Sequence, residues 1–126
     1  MNGRPDVNYH ELQRGIDLFN REEFFEAHEL LEDVWRAAAA EEKKFLQGLV
    51  QLAVAFHHHS TGNQRGMRSV MERGMKNLEG QVEGFCGIRL NPLMQSLRSW
   101  CQAMDNGRPL PAIPRIETQA LSPRNN

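Results

Sequence analysis

From Tyr9 to Met104 the apolar residues recur mainly at intervals of three and four, the spacing that lines one side of an α-helix. Leu12, Ile16 and Phe19 share a face with Leu18 beside them, which predicts a short amphipathic helix over residues 9–19. Asn20 ends this run and is placed to cap the next one, because Glu23 stands three residues on in the capping-box position. In the stretch F-F-E-A-H-E-L-L-E-D-V-W, a step of about 100° per residue puts Phe24, Ala27, Leu30, Leu31, Val34 and Trp35 on an apolar face. Glu26, Glu29 and Asp33 fall on the opposite face, and His28 and Glu32 lie one turn apart on the margin. This second helix is expected to reach about residue 40.

Residues 42–59 differ in kind. Phe45, Leu46, Leu49, Val50, Leu52, Ala53, Val54 and Phe56 cover most of the circumference, the pattern of a buried helix. Gln47, Gln51 and His58 break it, projecting within about 40° of one another as a narrow polar stripe bordered by Gly48 and Ala55. Gly62 supplies a helix stop and Asn63 a cap for a fourth helix over residues 64–79, whose buried face would hold Met67, Val70, Met71, Met75 and Leu78. A glycine-punctuated loop follows, until Asn91-Pro92 offers a cap and first-turn proline for a fifth helix buried through Leu93, Leu97, Trp100 and Met104. Prolines 109, 111 and 114 forbid helix, so Leu110, Ile113 and Ile116 are expected to pin an extended tail across the bundle.

The fold class this implies is all-α: a single-domain bundle of about five helices built from antiparallel helical hairpins, with an extended proline-containing C-terminal tail. The domain is expected to span residues 1–117, and residues 118–126 to be a disordered tail. The hairpins share no clean repeat of about 34 residues, so they are packed helix pairs and not a repeat array.

Length and charge narrow the partners. A chain of 126 residues supports one ordinary core. The formal charge of -1 gives no basic field for nucleic acid or an anionic membrane surface, and neither partner is expected. The first residues carry no apolar signal-peptide core and no run suffices to span a membrane, which predicts a cytoplasmic protein. In that reducing compartment Cys86 and Cys101 are expected to be free, partly buried thiols.

F-N-R-E-E-F-F-E-A-H-E-L-L-E-D-V-W at residues 19–35, F-L-Q-G-L-V-Q-L-A-V-A at residues 45–55, and the following H-H-H-S-T-G-N together resemble the signature of the bacterial domain-of-unknown-function family 309. The resemblance implies a small all-helical cytosolic protein with no established activity. It singles out Phe19, Asn20, Phe24, Glu26, His28, Glu29, Glu32, Trp35, Gln47, Gly48, Gln51 and His58 as motif positions. His58 is matched to the family's single histidine, and which of His57, His58 and His59 faces the interior stays open.

Chemistry is less legible. The zinc-protease pattern requires two histidines four apart, and here H-E-L-L-E carries Glu32 in the second place. The Glu-x-x-His pair of di-iron bundles is missing from helices two and three. A looser divalent-metal site of His28, Glu32 and His58 is the remaining metal candidate. The favoured reading is a binding or interaction module with a polar pocket or network between helices two and three, formed by His28, Glu32, Gln47, Gln51 and His58, with Glu26 and Glu29 as secondary candidates. Its partner would be a small molecule or a protein, with a homo-oligomer as a further option. The rival reading is a metal-dependent or acid/base, hydrolase-like enzyme acting on a small molecule, with His28 tuned by Glu32.

Overall fold

The structure is a computed structural model and describes residues 7–119. The last residues of the expected disordered tail, from 120 on, lie outside the described residues. Among the described residues there are five α-helices: α1 Tyr9–Asn20, α2 Phe24–Ala37, α3 Ala40–Ser60, α4 Gln64–Leu78 and α5 Leu90–Asp105. The described residues form two compact units that divide between Glu79 and Gly80. None of these helices is long and apolar enough to cross a membrane.

The first unit is a succession of helical hairpins in which α1 packs on α2, α2 on α3 and α3 on α4. Its turns are short because each helix end is satisfied locally. At the end of α1 the Glu22 N–H donates to the Phe19 carbonyl (2.8 Å) and the Glu23 N–H to the Leu18 carbonyl (2.9 Å). The same arrangement closes α3, where Gly62 N–H bonds to His59 and Asn63 N–H to His58. Both are Schellman endings, which require a left-handed residue after the cap. Gly62 fills that place at φ 85°, whereas Glu22 fills it at φ 65° with a side chain.

This geometry corrects the expected role of Asn20. The helix runs through it, Glu23 becomes the N-cap of α2, and no side-chain capping bond forms there. Asn63 caps α4 as expected, its Oδ1 accepting the Gly66 N–H at 2.9 Å. Between α2 and α3, Lys43 Nζ donates to the carbonyls of Trp35 (2.7 Å) and Arg36 (2.9 Å) and lies 5.3 Å from the centre of the Trp35 ring. One ammonium thus satisfies the orphan carbonyls at the negative end of the α2 dipole.

α3 buries Phe45, Leu49, Leu52, Ala53 and Phe56 almost completely, as its all-round apolar pattern requires. On the α2 side the contact is aromatic. Phe19, Phe24 and Phe56 meet with ring centres 5.1 to 5.9 Å apart, and two of the three pairs are edge-on. On the α4 side it is close packing of small residues: a Cβ on Gly48 would lie 2.8 Å from Leu78 Cγ and 2.9 Å from the Gly74 carbonyl oxygen.

In the second unit a loop rich in left-handed residues, with a 3₁₀ turn at Phe85–Gly87, leads into α5. Cys86 itself adopts φ 55°. Asn91, expected as the cap of α5, lies inside the helix; Glu83 from the loop supplies the acceptor for its N–H at 2.7 Å. The pyrrolidine of Pro92 still falls in the first turn, where a missing N–H costs nothing. Leu93, Leu97 and Trp100 are buried as expected, and Ala103 is buried while Met104 is half-exposed. Beyond α5 the extended chain is tied back by the Trp100 indole N–H, which donates to the Ala112 carbonyl at 3.0 Å, and by an isolated antiparallel bridge between Ile88 and Thr118. Pro114 and Ile116 are buried, but Leu110, expected among the pinning residues, is exposed. Cys86 and Cys101 form no disulfide among the described residues, and the first is buried and the second half-buried.

Three stability outcomes are expected from these contacts and backbone angles. Gly48→Ala is expected to cost about 1–3 kcal/mol in urea unfolding, because its new methyl meets a backbone carbonyl that cannot step aside. Gly15→Ala is expected to cost less, since its nearest contact is the end of the Leu31 side chain. Glu22→Gly is expected to stabilise by about 0.5–1 kcal/mol, relieving a left-handed side-chain position against the entropy that glycine adds to the unfolded chain; an unchanged or lower urea midpoint would contradict this.

Candidate functional site

The margin of α2 carries the first ionisable cluster. His28 Nε2 lies 3.6 Å from Glu32 Oε1, and Glu32 Oε2 lies 3.4 Å from Arg36 Nη2, whose other terminal nitrogen is 3.5 Å from Asp33 Oδ1. The first contact is an ion pair whenever the imidazole is protonated. His28 and Glu32 side chains are about equally half-buried, at 28% and 31% exposure, so water reaches both.

Beside this chain of charges sits Phe25, which is 51% exposed although it is a large aromatic residue on an otherwise well-packed helix. Its ring centre is 6.1 Å from that of His28 and 5.7 Å from that of His57 on α3. Together with Val54 these side chains line a pocket of about 200 Å³. Its walls are apolar carbon and imidazole ring faces, and its chemistry is therefore that of a slot for a hydrophobic or aromatic group.

The three consecutive histidines point to different neighbours, as side chains stepping about 100° around a helix must. His57 turns to α2. His58 Nδ1 accepts from the Asn63 side-chain amide at 3.4 Å, and His59 Nδ1 accepts from that of Gln64 at 2.9 Å, so both turn to the start of α4. His57 is therefore the histidine of the α2–α3 pocket, not His58.

Of the polar stripe expected to meet His28 and Glu32, Gln51 turns to α4. Gln51 Oε1 accepts a hydrogen bond from Asn77 Nδ2 at 2.7 Å, and a Cβ on Gly74 would lie 3.3 Å from Gln51 Cβ. Gln47 is half-buried next to Gly48 on the same helix. Glycines at 48 and 74 let these two helices approach until the glutamine and asparagine amides meet, which explains the turn of Gln51. Of the five expected pocket residues, the structure brings His28 to Glu32, and it takes Gln51 and His58 to α4. Glu26 and Glu29 are exposed on the outer face of α2.

The trio His28, Glu32 and His58 is not assembled either. Among the described residues no group of three or more His, Cys, Asp or Glu side chains is gathered so as to hold a metal ion. The sequence does not single out Phe25, offers Val54 only as part of the apolar surface of α3, and leaves His57 open beside His58 and His59. One signal did exist: Phe25 lies off the apolar face of α2, where an aromatic side chain has no core to enter.

All four pocket residues lie within a stretch that is recognisable in other proteins: residues 12–70 match the sequence model of a family described as Domain of unknown function (DUF309). Over residues 12–70 the chain is similar to DUF309. An uncharacterised protein of Aquifex aeolicus (strain VF5) is 30% identical over 92 residues, which make up 72% of this chain and 28% of that protein. The uncharacterised protein YpuF of Bacillus subtilis (strain 168) is 33% identical over 88 residues, 65% of this chain and 51% of YpuF. The chain thus spans about half or less of the length of these relatives. The DUF309 span contains α2 and α3 whole, and it stops within α4 before Gly74 and Asn77.

The amide pair in the α3–α4 seam gives a direct test of a structural role. Gln51→Leu strands the Asn77 amide and is expected to cost about 1–3 kcal/mol, whereas Gln51→Leu with Asn77→Leu is expected to recover part of that loss. A double-mutant cycle in urea with no coupling between the two positions would contradict the bond.

Proposed function

We propose that the DUF309 region acts as a binding module whose pocket between α2 and α3 takes up an apolar or aromatic group. The observation that carries this reading is the half-exposed Phe25, which forms the pocket with His28, Val54 and His57. Fully covering an exposed large apolar side chain contributes about 1.5–3 kcal/mol, so a ring still half open to water beside a concavity offers about half of that gain to a ligand. The volume of about 200 Å³ is of the right order, given that a cavity of roughly 150 Å³ accepts benzene. The two imidazoles add ring faces against which a flat guest can stack. This pocket is less polar than the one anticipated from His28, Glu32, Gln47, Gln51 and His58, of which it retains His28.

The enzyme alternative gains nothing specific from the geometry. A half-exposed His28 beside Glu32 is an acid/base pair in kind, which by itself defines no reaction class. Length also favours a module, because the relatives continue well beyond the matched region.

Indole is a suitable probe, since it offers one flat ring and one N–H. Titrating it into the protein is expected to give saturable shifts in the imidazole carbon–proton resonances of His28 and His57, with His58 and His59 unmoved, and Val54→Trp is expected to abolish them by filling the slot. Shifts spread evenly over all the histidines, or none up to the solubility of indole, would remove the pocket reading.

A further inference from the structure

We infer that the natural occupant of this pocket is a single large apolar side chain carried on a lysine- or arginine-bearing segment of a protein partner. This rests on the pocket reading above and adds the identity of the guest. The argument comes from the charge that surrounds Phe25. Between residues 22 and 33 the chain carries Glu22, Glu23, Glu26, Glu29, Glu32 and Asp33. Arg21 pairs with Glu23, and Arg36 with Glu32 and Asp33. Glu22, Glu26 and Glu29 are exposed and make no ion pair among the described residues. Glu29 follows Phe25 by one turn, so its carboxylate rises beside the exposed ring, and Glu26 continues the acidic surface outward. The Val54 and His57 wall contributes no cation that would offset it at neutral imidazole charge.

An apolar slot edged by unpaired carboxylates matches an amphipathic, basic segment: the anchor enters the slot while flanking ammonium or guanidinium groups reach the carboxylates. The same field opposes the competing occupants. Nucleic acid and anionic lipid present negative charge to a negative face. A second copy docking through the same surface would set carboxylate against carboxylate, because a two-fold contact pairs a patch with itself. A free small molecule could fill the slot, but it would leave Glu26 and Glu29 without a role.

The test uses the full chain and three fluorescein-labelled synthetic peptides: one with a single Trp flanked by lysines one turn away on either side, one with that Trp replaced by Ala, and one with the lysines replaced by Glu. Fluorescence anisotropy is expected to show binding of the first peptide and at least about tenfold weaker binding of the other two. Phe25→Ala is expected to lower its affinity at least about tenfold. Glu26→Lys with Glu29→Lys should weaken the lysine peptide, strengthen the Glu-bearing one and leave indole binding unchanged. All these positions are exposed, and far-UV circular dichroism checks that the variants keep their helices. Equal binding of the lysine and glutamate peptides, or lysine-peptide binding that ignores Phe25→Ala, would overturn the inference while indole binding stands. Loss of indole binding itself would instead remove the pocket reading beneath it.

Discussion

The four-helix unit depends on covering α3. That helix is apolar on nearly every side, so it needs neighbours on two flanks, and it obtains them by two different kinds of contact. Toward α4 it offers Gly48, which meets the Gly74 backbone and Leu78 so closely that a methyl group would have to displace them. Toward α2 it offers Phe56, which closes a three-ring cluster with Phe19 and Phe24. Glycine contact permits close approach of the two backbones, while ring packing holds its neighbours farther apart. The side of α3 that packs through bulky rings is also the side that carries the slot beside Phe25.

The order and approximate extent of the helices were legible because amphipathic spacing is a property of one segment at a time. The near-continuous apolar run from Phe45 to Phe56 announced its own burial, and Gly62-Asn63 announced a turn, since a left-handed residue and a side-chain cap are local requirements. Asn20 and Asn91 misled for a related reason. Each is a good cap in isolation, yet a Schellman ending carried α1 one residue further, and Glu83 reached the α5 terminus from a loop whose path no local pattern describes. The narrow stripe of Gln47, Gln51 and His58 is a feature of one helix taken alone. Which neighbour it meets depends on how the helices are arranged around α3, and periodicity carries no information on that. The same ambiguity hid His57 behind His58.

The charged and apolar features of α2 make sense together when the helix is divided by direction. Inward it supplies Phe24, Ala27, Leu31 and Val34 to the core. At its edge His28, Glu32 and Arg36 form a half-buried string of alternating charge, and outward lie carboxylates that the chain itself leaves largely unanswered. Phe25 stands between edge and exterior. About half of its surface is covered by the fold, and the half left open faces the slot that it lines with His28, Val54 and His57. The DUF309 span includes this arrangement in full, whereas the α3–α4 seam at Gly74 and Asn77 lies outside it.

Lys43 has a further significance as a chemical reporter. Its ammonium donates to two carbonyls at the end of α2 and rests against the Trp35 ring, while Lys44 beside it is exposed. An amine must reach an electrophile before it can be acylated, and the two carbonyls and the Trp35 ring hold the Lys43 nitrogen against the chain. Two adjacent lysines of one chain therefore differ in how openly they present their amines at the α2–α3 junction. Brief labelling with an acylating reagent, read as the ratio of modification at the two positions, would report opening of that junction without any added probe.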